Sequence, residues 1–253
     1  MTTSTQQSLP RPGDTVPEGS PPRIRALARA SAVALGGFAV AVLVAGLRSP
    51  GYSHRSETIS ALGAKDAAAP EVMMVGFLLL AVSLLAAGGV LARTIAGKAG
   101  RVGALLVCVA GAAAVVTAFA QEDCSDLKAA CAARERANTV SGEHVLHNLV
   151  GLVLFAALVI ALFFLAAGLR HATRRATLAR TTQVVAIAAL GLMVWFGSDA
   201  YGDNGGLVQR ALIVVACGWP ALLATGLAGR LPRPLTQPGL SHSPHSPGSA
   251  GRR

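Results

Sequence analysis

Two histidines three residues apart, His144 and His147, stand in the stretch Ser141-Gly142-Glu143-His144-Val145-Leu146-His147-Asn148. On a helix that spacing puts both imidazoles on one face. Imidazole serves both as a metal ligand and as a proton carrier near neutral pH. With His54, or a carboxylate such as Asp123 or Asp203, alongside, the pair would complete a metal site of the His and carboxylate type. The H-x-x-H spacing by itself carries no zincin-type signature, and histidines that hydrogen-bond neighbouring loops at a membrane boundary are the plainer reading. The metal candidates are therefore His54, His144, His147 and Asp123, and no cofactor is firmly implied. Ser56, Ser60 and Ser141 lie near histidines in a serine-rich chain, without a nucleophile and base at a telling spacing. Arg210 is expected to pair with a carboxylate, Asp199 and Asp203 being nearest in sequence. Cys124 and Cys131 share one short loop; two thiols on an oxidising side of a membrane pair as a disulfide, with metal ligation the alternative. Cys108 and Cys217 fall within apolar segments and read as small packing residues.

The elements that must position these groups are apolar. The chain has 253 residues, 53% hydrophobic and only 13% charged, against about 25% charged in soluble proteins. Six stretches are long enough to cross a bilayer: 26–47, 71–92, 101–120, 145–169, 181–197 and 207–229. Each meets the roughly 17 to 25 residues a spanning helix needs. The fold class is therefore all-α, a polytopic bundle of six transmembrane helices over residues 25–230. The tails, 1–24 and 231–253, hold ten of the 13 prolines amid Ser, Gly and Thr and read as disordered. Pro220, inside the sixth segment, should kink it. The first segment's apolar run exceeds a signal peptide's core, so it reads as a retained helix.

Charge gives the orientation. Fifteen of the 22 Lys and Arg residues flank the ends shared by the two tails and the second and fourth loops. Basic flanks stay cytoplasmic, which puts both termini inside and the loops bearing His54, Cys124 and Asp203 outside a cell membrane. The net charge of +10 is topogenic and attracts anionic headgroups. No basic face interleaved with aromatics points to nucleic acid. Small residues such as Gly36, Gly88 and Gly89 let helices approach closely and leave a homo-oligomer possible. No ionisable side chain sits in mid-span, which counts against a coupled transporter. The richness in Ala, Arg and Gly is compatible with a GC-rich bacterial genome.

Four short stretches carry a resemblance. Tyr52 to Ala64, with Ile59-Ser60-Ala61-Leu62-Gly63-Ala64, resembles the I-S-x-L-G-A loop of a bacterial six-helix membrane family, domain-of-unknown-function family 998. Phe119-Ala120-Gln121-Glu122-Asp123 is similar to that family's F-P-x-D, with alanine in place of proline and the acid at Glu122 or Asp123. Gly142-Glu143-His144-Val145-Leu146-His147 is similar to its H-G-x-x-H, and Gly206-Leu207-Val208-Gln209-Arg210 to its G-x-x-[EQ]-R. The resemblance spans about residues 25–230 and implies topology without an activity.

All four stretches fall at the outer side, so His54, Ser60, Asp123, His144, His147, Asp203 and Arg210 are the candidate pocket residues. Three functions stay open. The first is a non-catalytic protein whose outer pocket binds a lipid or envelope ligand or scaffolds a partner. The second is a metal-dependent membrane hydrolase acting on lipid. Its Ser, Asp and His inventory resembles the alkaline ceramidase and progestin-receptor superfamily, which has seven helices and histidines near the last, where this chain has none. The third is a small-solute transporter.

Overall fold

In lipid every backbone N–H and C=O must be satisfied within the protein, so an apolar segment of spanning length runs as a helix. The computed structural model describes residues 21–125, 128–170, 175–199 and 202–230. It contains seven α-helices among the described residues: α1 Pro21–Arg48, α2 Pro70–Thr94, α3 Gly97–Phe119, α4 Ala129–Arg136, α5 Gly142–Arg170, α6 Ala176–Asp199 and α7 Gly205–Gly229. Six of them, all but α4, are long and apolar enough to cross a membrane. The protein is a multi-pass helical membrane protein. Most of the two tails read as disordered lies outside the described residues; α1 begins at Pro21, inside the first of them.

The helices outrun the apolar windows that announce them. The 29 residues of α5 rise about 44 Å, well past a hydrocarbon core of about 30 Å. Its first two turns, with Glu143, His144, His147 and Asn148, precede the unbroken apolar run that starts at Leu149. Two elements carry no apolar signal of their own: a single 3-10 turn at Ser60–Gly63 and the eight-residue α4. Helix α7 continues through Pro220 as one element.

The six long helices close into a ring. Contacts join α1 to α2, α2 to α3, α3 to α5, α5 to α6, α6 to α7 and α7 back to α1, while α7 also reaches α2 and α5. The most extensive pairing is α3 with α5. A Cβ on Gly168 would lie 2.8 Å from the backbone of Gly100, so the two helices pack backbone to backbone at that level. Such approach supplies the van der Waals contact that stands in for hydrophobic drive in lipid. The core is Leu62, Met73, Leu84, Leu91, Leu158, Leu162, Leu165 and Leu212, all essentially buried. Val33, Val40 and Leu47 on α1, Leu105 on α3 and Val184, Ile187 and Val194 on α6 face outward, as a lipid-exposed belt requires.

Candidate functional site

At the end of the bundle where α1, α3 and α6 finish and α2, α5 and α7 begin, polar side chains gather in three linked groups.

The first is built on Asp123, just past α3. Its Oδ2 accepts the Ser141 main-chain N–H at 2.7 Å and its Oδ1 the Ser141 hydroxyl at 2.7 Å. Lys65 Nζ and Arg134 Nη2 each lie 3.1 Å from it. The Ser141 N–H first, then the Ser141 hydroxyl and Lys65, hold the carboxyl well below the usual carboxylate range. Lys65, whose Nζ is 2.7 Å from Glu143 Oε2 as well, is in turn held above the usual lysine range by those two carboxylates, Glu143 foremost. Ser141 precedes α5 and its Oγ accepts the His144 N–H at 3.2 Å, the geometry of a helix N-cap. The Asp123 N–H donates to His144 Nδ1 at 3.1 Å, so the ring proton sits on Nε2, 2.7 Å from Glu135 Oε1. Glu135 and Arg134 both come from α4, and α4 is tied back to the end of α3 by the Cys124–Cys131 disulfide, Cα atoms 5.8 Å apart.

The second group surrounds His147, which is 3% exposed. Its Nδ1 lies 2.6 Å from the Ala120 carbonyl and its Nε2 3.1 Å from Ser60 Oγ. A carbonyl only accepts, so Nδ1 carries the proton and Nε2 of the neutral ring accepts from Ser60. Glu122 Oε1 lies 3.8 Å from the same Nε2, and the Phe77 ring meets the imidazole edge-on. Ser60 opens the 3-10 turn, whose Ala61, Leu62 and Gly63 are buried.

The third group joins α7 to the segment after α1. Arg210 Nη1 donates to the Glu57 carbonyl at 3.0 Å and the Gly206 carbonyl at 2.8 Å; Nη2 donates to Tyr52 Oη at 2.6 Å and His54 Nδ1 at 3.2 Å. The side chain of Asp199, one of the two carboxylates expected as its partner, lies outside the described residues; among these Arg210 meets no carboxylate at ion-pair distance. It lies one turn inside α7, facing the loop's carbonyls, while Asp203 stays exposed in the turn before the helix. Burial pushes the Tyr52 phenol up, against the pull of Arg210, and Tyr52 Oη donates to the Thr58 carbonyl at 2.7 Å. The first N–H groups of α7 are also taken by the loop: Gly206 donates to the Ser56 carbonyl and Leu207 to that of Arg55. A Cβ on Gly206 would come within 2.2 Å of the Glu57 carbonyl oxygen, so only glycine fits. Gln209 Oε1 accepts the N–H of Ile59, next to Ser60, and so links this group to the second.

Ser60 and His147 thus touch, Asp123 and His144 touch, and His54 and Arg210 touch. Asp203 joins none of these contacts. The metal candidates do not converge: His54 is held by Arg210 and packs edge-on against Tyr52, and both ring nitrogens of His144 and of His147 are engaged by protein groups. Among the described residues no three His, Cys, Asp or Glu side chains form a metal-binding group. Sequence reading missed Tyr52, Ala120, Glu135 and Gln209 as site residues. Gln209 was signalled by the G-x-x-[EQ]-R stretch, and the cap by serine three residues before His144.

A cavity of about 370 Å³ opens beside the second group, between α5, α6 and the 3-10 turn. Ser60, Glu122, His147, Asn148 and Gln209 line it, with Leu152, Phe155, Met193 and Phe196 on its helix walls. Phe155 is eight residues along α5 from His147, about 12 Å deeper. The polar lining is thus toward the end of the bundle that carries the three groups, and the apolar lining lies further along the helices.

All four stretches that carry the sequence resemblance meet in these groups. No curated protein matches the chain, and no solved structure does. Residues 32–226 match the family described as protein of unknown function, DUF998. Six spanning helices and that match over most of the chain place it together: this protein belongs to the DUF998 family of membrane proteins of unknown function.

Proposed function

We propose that this is a lipid-binding protein of the cell membrane, with both termini cytoplasmic and the α5–α6 cavity opening at the outer leaflet. The observation that carries the reading is the cavity's polarity gradient. Its headgroup end presents a hydroxyl, an imidazole, a carboxyl and two amides, and its deeper walls are Leu, Phe and Met. A binding site is commonly a largely apolar cleft with a few fixed polar groups, and an amphiphile standing upright in a leaflet has that distribution. The orientation is supported by the 15 to 7 division of basic residues and by the disulfide on the side assigned to the oxidising compartment. Partner scaffolding and solute transport have no comparable feature in their favour.

The test is photo-crosslinking of the purified full-length protein with a diazirine-bearing phospholipid. Crosslinks should map to α5 near Gly151–Phe155 and to α6 near Met193–Gly197. Gly151→Leu should reduce them about tenfold, because a Cβ there meets nothing within 4 Å and the larger side chain would fill the cavity. Crosslinking spread evenly over the lipid-facing belt, and unchanged in that variant, would remove the reading.

A further inference from the structure

We propose that Ser60 and His147 form a nucleophile and general-base pair that cleaves an acyl ester seated in the α5–α6 cavity. The inference rests on the lipid-binding reading of that cavity and adds a reaction to it.

A serine hydroxyl becomes a nucleophile when a base accepts its proton and a third group fixes the base. Both conditions hold here. The 2.6 Å contact from His147 Nδ1 to the Ala120 carbonyl fixes ring and tautomer, since that nitrogen must donate. Nε2 then presents its lone pair to Ser60 Oγ at 3.1 Å, within the 2.6–3.2 Å span of a working nucleophile and base. The orienting group is a main-chain carbonyl rather than a carboxylate. A carboxylate stands nearby all the same: Glu122 Oε1, in a residue 3% exposed, is 3.8 Å from Nε2. In its ionised form that carboxyl would stabilise an imidazolium formed by proton transfer, more strongly than in water.

The surroundings suit an ester with a long acyl chain. Ser60 and His147 both line the cavity. Gln209 and Asn148 line it too, and their amide N–H groups can donate to a developing oxyanion; Gln209 is oriented by the Ile59 N–H on its Oε1. Phe155 and Phe196 offer an apolar slot for the chain. In the reaction Ser60 Oγ bonds to the ester carbonyl carbon as its proton passes to Nε2, and the carbonyl π pair moves onto oxygen. When that pair returns, the bond to the alcohol oxygen breaks and the alcohol leaves with the proton from Nε2. Water then attacks the acyl-Ser60 ester by the same route, releasing the carboxylic acid and restoring both residues.

The test uses full-length protein in detergent micelles and a long-chain alkyl fluorophosphonate, with the adduct located by mass spectrometry. The expected adduct is on Ser60. It should be lost in Ser60→Ala, form at least about 100-fold more slowly in His147→Asn, and be unchanged in Ser56→Ala. Its rate should fall toward acid pH with a single protonation, a dependence that a purely structural hydrogen bond would not give. Ser60→Ala removes one oxygen and, judged by its elution profile and intact disulfide, should stay folded. Wild-type protein that crosslinks the diazirine lipid in the cavity but gains no Ser60 adduct overturns the catalytic pair and leaves lipid binding standing. Protein that does neither overturns both.

Discussion

Asp123 takes two hydrogen bonds from Ser141 alone, and the pairing fixes where α5 starts. Each oxygen also faces a cation, Lys65 or Arg134, so the ionised form is strongly preferred in the folded protein. Its folded pKa is depressed, so its contribution is full above the unfolded value of about 3.9 and is lost as pH falls toward the folded one. Thermal melts in detergent should therefore show wild type losing stability between about pH 5 and pH 3 more steeply than Asp123→Asn. At pH 7 that variant should be weaker by about 2 kcal/mol, the scale of hydrogen bonds to a charged group. Equal pH slopes for the two proteins would show that Asp123 is not the linked group. Residues of this kind were half legible in the sequence. Asp123, His147 and Arg210 stand out as polar groups at the ends of apolar runs, but their partners include the carbonyls of Ala120, Glu57 and Gly206, and any residue can supply a carbonyl. That is why a carboxylate was expected for Arg210, whose described partners are two carbonyls, a phenol and an imidazole.

Between elements, the tightest constraint is where α7 meets the segment after α1. Carbonyls of Arg55 and Ser56 receive the α7 N–H groups, that of Glu57 sits against Gly206, and Arg210 reaches back over the same loop. Gly206→Ala puts a methyl into the Glu57 carbonyl, and overpacking of this kind costs about 1–3 kcal/mol. Gly36→Ala is the control, because a Cβ there meets nothing within 4 Å. A fall in Tm for the first and none for the second is expected, and matching Tm values would contradict the packing described. The six long helices were legible because charge-free apolar runs of that length have one stable form in lipid. Their ends were not, since backbone hydrogen bonding carries a helix beyond the apolar stretch into the headgroup layer. The 3-10 turn and α4 left no signal: four and eight residues are too short for a periodicity, and tertiary contacts and a disulfide hold them.

At the scale of the molecule, the ring of helices concentrates its buried ionisable chemistry at one end. Reporter fusions should place the chain after Arg230 and the 95–96 connection on the cytoplasmic side and the 49–69 segment on the other, as the distribution of basic residues requires. A periplasm-active reporter working after Arg230 would invert the assignment. The ring also sets a timetable for biogenesis. Ile59 waits for Gln209 across 150 positions and Glu57 for Arg210 across 153. At about 5–20 residues per second of synthesis, the nascent first loop spends on the order of 10–30 s without its final partners. The last hairpin to insert is therefore the one that latches the first loop. A ribosome stalled before α7 would leave a chain with most of its helices in the bilayer and residues 52–59 without the contacts that α7 supplies, so completeness of translation is written into protection of that stretch.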